Sequence, residues 1–166
     1  MDIRDIQTFL AYYSRIKDRT RRLFDSIPPD KIEWTYRKGK FTIGDLIRHM
    51  ALTERFMYVE NVQQKPSMYT GCGENFAKGL EKTIELYNRL NQESMEILSK
   101  LTPEDLEKKC ETPAGSKITI WKLLRAMTEH EIHHRGALYT YLGMLEVQTP
   151  PIFGLTSEEV IRKGGE

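Results

Sequence analysis

Apolar residues recur at three- and four-residue steps along four long stretches of the chain, and no stretch of similar length alternates as a strand would. In the first, over residues 3–26, the stripe is Ile3, Ile6, Leu10, Tyr13, Ile16 and Leu23, running on to Ile27, with Arg and Lys between. Pro28-Pro29 predicts its end, because proline lacks the N–H that a continuing helix uses. Trp34 and Tyr36 sit in the polar link that follows and read as aromatics folded back onto the body. A second helix is predicted from Thr42, with Asp45 three residues on as in a capping box, and it ends before Pro66. Its apolar positions are Ile43, Leu46, Ile47, Met50, Met57 and Val59. After a loop containing Pro66, Gly71 and Gly73, a third helix is predicted over residues 74–101. Pro103 opens a connector through Pro113 and Gly115, and Thr119 caps a fourth helix reaching about residue 145. Thr156 and Glu159 predict one further short turn in the tail.

These elements predict an all-α fold, one four-helix-bundle domain over residues 1–166 with long connectors. Connectors of that length in a compact bundle often carry function. Composition agrees, since 39% hydrophobic and 30% charged residues suit one continuous core with a solvated face. A net charge of +1 gives no electrostatic footprint for nucleic acid. No window approaches the roughly 18 uninterrupted apolar residues of a membrane span. The opening MDIRDIQ carries two acids before any apolar run, unlike a secretory signal, and Cys72 and Cys110 form no CxxC pair. A cytoplasmic protein with two free thiols is the expectation.

Histidine narrows the chemistry. It occurs only at positions 49, 130, 133 and 134. On the fourth helix the stripe of Leu123, Leu124, Met127, Leu138, Tyr141 and Leu142 has a gap filled by His130 and His134, one turn apart on one face. His49 lies three residues after Leu46, so it also faces inward, whereas His133 falls toward the stripe's edge. A lone inward histidine is usually a satisfied core residue, but three desolvated neutral imidazoles need a shared partner. His49, His130 and His134 are therefore the candidate ligands of one divalent metal ion, with a coordination position left open as in catalytic sites. Zn, Ni, Fe and Co all suit three imidazoles. Convergence requires the ring of His49 to lie within about 8 Å of the other two, given nitrogen–metal bonds near 2 Å.

Two other patterns share these letters. His130-Glu131-Ile132-His133-His134 contains H-E-x-x-H, the zinc-protease helix, but no strands are legible upstream and no histidine follows. A ferritin-type di-iron site needs two Glu-x-x-His motifs, and Leu46 stands where the second glutamate would be. Both readings are weaker than the three-histidine site.

The segment from Phe41 to His49 (FTIGDLIRH), with His130-Glu131-Ile132-His133-His134-Arg135-Gly136, resembles the DinB-like superfamily of metal-binding four-helix bundles. Tyr141-Leu142-Gly143-Met144-Leu145 followed by Pro150-Pro151 is similar too, so the resemblance spans nearly the whole chain. It implies an up-down-down-up bundle holding one divalent metal through His49, His130 and His134, often as a homodimer. Related proteins include transferases and isomerases that depend on low-molecular-weight thiols, and metal-dependent hydrolases. Ala137 departs from the pattern, which has Gln or a similar polar residue there, and this alters the wall beside the metal.

Three functions follow as expectations. The first is a metal-dependent transferase that joins a small thiol cosubstrate to an electrophile, the metal holding the sulfur as thiolate. The second is a hydrolase using metal-bound water, with Glu131 as the candidate catalytic base. Against that role, Glu131 also reads as an exposed acid pairing with Arg135 one turn on. The third is a non-catalytic metal- or ligand-binding dimer.

Overall fold

The structure is a computed structural model and describes residues 2–165. Helix α1 (Ile6–Phe24) opens where the Asp5 carboxylate accepts a hydrogen bond from the Thr8 N–H. Helix α2 is one rod in three parts: Ile43–Thr53, a π-helical turn Glu54–Tyr58, and Val59–Val62. Its start is the capping box read from the sequence, with Thr42 and Asp45 bonded reciprocally. Helices α3 (Gly79–Leu98), α4 (Pro103–Glu107), α5 (Ile120–Met144) and α6 (Ser157–Gly164), with a 3₁₀ turn at Pro29–Lys31, complete the helical set among the described residues. The Thr156–Glu159 capping box opens α6, the extra turn expected in the tail.

Two apolar clusters fix how the four long helices run. One gathers Leu23 and Phe24, Ile43 to Leu52, Leu86 to Leu90, and Leu138 to Leu142. The other gathers Ile6 to Ile16, Tyr58 to Val62, Leu98, and Ile120 to Met127. The end of α1 thus meets the starts of α2 and α3 and the end of α5. Its beginning meets the ends of α2 and α3 and the start of α5. Such pairing defines an up-down-down-up four-helix bundle. Because α2 and α3 are parallel, the chain must return the length of the bundle between them, over residues 63–78.

Between the two clusters lies a polar layer. Lys17, Glu54 and Glu131 are buried, the lysine completely, and its Nζ donates to Glu54 (2.8 Å) and Glu131 (3.1 Å). Tyr13 and Asn91 donate to Glu54, and Tyr87 donates to Glu131 at 2.6 Å. The ammonium also sits 3.8 Å from the centroid of the Tyr87 ring. Buried ions persist only when paired and hydrogen-bonded in this way. The π-turn begins at Glu54, so it marks the point where α2 delivers this carboxylate to the core.

Two expectations need correction. The third helix starts at Gly79 rather than residue 74, because the chain just before it is held elsewhere, its Ala77 carbonyl taken by Arg48. The connector after α3 is not plain loop: it holds α4 and a two-stranded antiparallel hairpin, β1 (Lys109–Glu111) and β2 (Lys117–Thr119). Strands of three residues are too short for alternation to register in a sequence. Trp34 and Tyr36 do fold back, and both rings lie edge-on to Tyr141, at 5.7 and 5.4 Å.

Candidate metal centre

Helix α2 presents His49 nearly two turns from its capped start, and α5 presents His130 and His134 on one face. All three are half-buried. Each offers a ligand atom, and those atoms lie within 4.8 Å of one another. The Nε2 atoms of His49 and His130 are 3.0 Å apart. The ring centroids of His134 lie 4.6 Å from His49 and 4.4 Å from His130. Two nitrogens sharing one tetrahedral ion with bonds of about 2.0–2.1 Å would be roughly 3.3 Å apart, so the cluster is of the right size.

Electrostatics favour neutral imidazoles. Burial, then the adjacent His134 and His49, push the pKa of His130 down to about 3. Burial and His49 push His134 to about 4, and burial alone lowers His49. Neutral imidazole is the form that binds a cation. One observation points beyond mutual hydrogen bonding: Nδ1 of His134 is buried with no partner. A buried ring nitrogen left without a partner costs free energy, and imidazole nitrogen is a cation ligand. The residues fit a divalent ion.

Aromatic side chains line the surroundings. Phe41, at the end of the first connector, lies 5.1 Å from the His49 ring and 6.4 Å from that of His134. Tyr58 lies 5.6 Å from His130. From the parallel crossover, Tyr69 places its hydroxyl 2.7 Å from His49 Nδ1, with Thr53 Oγ1 at 3.2 Å from the same nitrogen. Burial and the neighbouring Cys72 raise the pKa of Tyr69, so the phenol stays protonated. His133 is exposed and stacks edge-on to His134 at 4.8 Å, outside the three-ligand group.

Glu131 and Arg135 do not form the surface pair expected of them. Both are buried, at 2% and 5% exposure. The two Glu131 oxygens accept from Lys17 and Tyr87, and Arg135 donates to the Ile16 carbonyl at 3.3 Å. Position 131 turns away from the face of 130 and 134, toward α1 and α3. Sequence reasoning missed Tyr69 and the Lys17–Glu54 pair. Lys17 was legible in principle, since it falls on the apolar stripe between Tyr13 and Leu23, where an unpaired charge would be costly. Tyr69 lies in irregular chain, where periodicity gives no signal.

Comparison with known proteins agrees with this architecture. A family model described as DinB superfamily matches residues 12–138. YjoA of Bacillus subtilis is 24% identical over 136 residues, covering 80% of this chain and 86% of that one. A protein of Oceanobacillus iheyensis named "Putative metal-dependent hydrolase OB0413" is 22% identical over 142 residues, covering 80% of this chain and 82% of its own length. The crystal structure of a DinB-like protein from Bacillus cereus superposes with a TM-score of 0.75 at 18% identity, covering 89% of this chain and 97% of that one. No helix among the described residues is long and apolar enough to cross a membrane.

Proposed function

The chain belongs to the DinB superfamily, and on that footing we propose that it binds one divalent cation (Zn, Ni, Fe or Co) through His49, His130 and His134 and is an enzyme acting on a small molecule. The reaction proposed is transfer of a low-molecular-weight thiol to an electrophile. The observation that carries the reading is the convergence of three neutral imidazoles from two helices, one of them with a buried, unpartnered Nδ1. A cation so held supplies Lewis acidity, lowering the pKa of a coordinated thiol or water toward neutrality.

The chain's own residues do the rest. The Tyr69 and Thr53 hydroxyls lie within hydrogen-bond reach of His49 Nδ1, at 2.7 and 3.2 Å. Phe41 and Tyr58 give the site apolar walls that would shield a reactive sulfur from water. Cys72 and Cys110 are both buried, so the reacting thiol comes from a small molecule.

A hydrolytic reading stands second, favoured by the name of the Oceanobacillus relative. In it Glu131 serves as base only by leaving Lys17 and Tyr87, its present partners. The resemblance also makes a homodimer the proposed assembly, checked by light scattering.

The deciding experiment loads the purified chain with metal and assays conjugation of a thiol to a generic electrophile beside hydrolysis of a simple ester. Conjugation abolished by chelator supports the transferase, and conjugation that survives chelation overturns it. Ester hydrolysis lost in His134→Ala supports the second reading. Stoichiometric metal with neither activity leaves a non-catalytic metal-binding bundle.

A further inference from the structure

The residue preceding His49 carries the densest set of polar contacts in the fold. Arg48 is completely buried. Its guanidinium donates to Glu33 through both terminal nitrogens (2.8 and 2.9 Å) and to Asp45 at 2.8 Å. It also donates to the carbonyls of Cys72 (2.8 Å) and Ala77 (3.0 Å). Five N–H groups thus meet five acceptors, the full capacity of an arginine. The acceptors belong to three segments: the first connector, the capped start of α2, and the parallel crossover. Thr42 Oγ1 donates to the same Glu33 carboxylate at 2.7 Å, so the cap and the clamp share one anion.

The crossover is irregular chain: Met68 N–H donates to the Phe56 carbonyl at 2.7 Å on one side of Tyr69, and on the other side the Arg48 bonds to Cys72 and Ala77 hold it against the start of α2. Three residues before Cys72 it carries Tyr69, whose hydroxyl reaches His49 Nδ1. A neutral imidazole has one N–H. If Nδ1 holds it and donates to the Tyr69 oxygen, the lone pair of Nε2 points at the nitrogens of α5. Arginine alone among side chains has the planar, five-donor fork this junction uses, whereas lysine offers a point charge.

We propose that Arg48 and Tyr69 are positioning residues for the candidate cation site: Arg48 moors the crossover, and Tyr69, carried on it, fixes the ring and tautomer of His49. The inference rests on the metal reading above and adds two residues to it. Neither touches the cation. Each acts through His49, and Arg48 acts through Tyr69.

The test uses Co²⁺ as probe with the full chain, reading affinity by titration and the ligand field by visible absorption, with melting of the metal-free protein measured in parallel. Tyr69→Phe removes the hydroxyl and leaves Thr53 as the remaining partner of Nδ1. It is expected to weaken Co²⁺ binding about tenfold to a hundredfold and to shift the visible band, with melting nearly unchanged. Arg48→Lys is expected to weaken binding comparably. The double variant should be no weaker than Arg48→Lys by more than about twofold, because both substitutions break one chain of contacts. Should Arg48→Lys not fold, Glu33→Gln loosens the clamp from its other side and is expected to lower Co²⁺ affinity in the same direction. Wild-type affinity and spectrum in Tyr69→Phe, or losses that multiply in the double variant, overturn the proposal and leave the metal reading intact. A wild-type chain that does not bind Co²⁺ overturns both.

Discussion

The Nε2 atoms of His49 and His130 lie 3.0 Å apart although 81 positions separate the two residues in the chain. His130 and His134 meet by helix geometry alone, but His49 arrives because α2 runs antiparallel to α5 and is packed against it through the cluster containing Ile47, Met50, Leu138 and Leu142. The site is therefore a property of the bundle.

His134→Ala should reduce bound metal from about one ion per chain to nearly none, since two imidazoles leave a chelate short of the three protein ligands of a catalytic site. Elemental analysis after dialysis against a weak chelator reads this directly. Retention of a full equivalent would place the ion elsewhere.

The pH dependence has a definite sign. His130 and His134 have folded pKa values near 3 and 4, below the unfolded value of about 6.5. Between those limits the unfolded chain binds more protons, so stability rises with pH across the window and is lost as pH falls below about 6.5. The metal-free protein should melt several degrees lower at pH 5 than at pH 7.5, an order-of-magnitude figure for a chain of this size. Replacing both histidines with Asn should flatten that interval.

Lys17→Met leaves the carboxylates of Glu54 and Glu131 buried without their cation. Removing one partner of a buried ion pair costs about 3–5 kcal/mol, which urea unfolding at neutral pH would read. A loss under about 1 kcal/mol would mean that the layer is hydrated or protonated.

Glu131→Gln separates two roles of that residue. The amide can still accept from Tyr87 while losing charge complementarity with Lys17. A structural acid gives lower stability with unchanged metal content and thiol conjugation. A hydrolytic base gives a fall in ester hydrolysis beyond the stability loss.

Gly44→Ala tests the clamp from below. A Cβ there would lie 2.8 Å from both Arg48 Nη1 and Glu33 Oε1. Alanine's better helix propensity favours the change by about 1 kcal/mol, but displacing a buried bidentate pair outweighs it. The expected net cost is about 1–2 kcal/mol in chemical denaturation.

Much of this protein follows from local rules, and those rules act within a few residues. The stripe of Ile6, Leu10, Tyr13 and Ile16, the Thr42–Asp45 and Thr156–Glu159 boxes, and the stop at Pro28-Pro29 each depend only on neighbours one or two turns away. So does the pairing of His130 with His134, which any α-helix would produce. The apolar phase of α2 placed His49 on the inward face, though not beside a particular partner. Tertiary packing decided the remainder. It turned Glu131 from the solvent-facing acid its sequence neighbours suggested into a core anion, because Lys17 and Tyr87 approach from α1 and α3. It brought Tyr69 to His49 on a crossover bonded to α2 at Met68, Cys72 and Ala77, in chain with no periodicity to read. Pairings across tens of residues depend on which faces dock, and a sequence records the faces but not the docking.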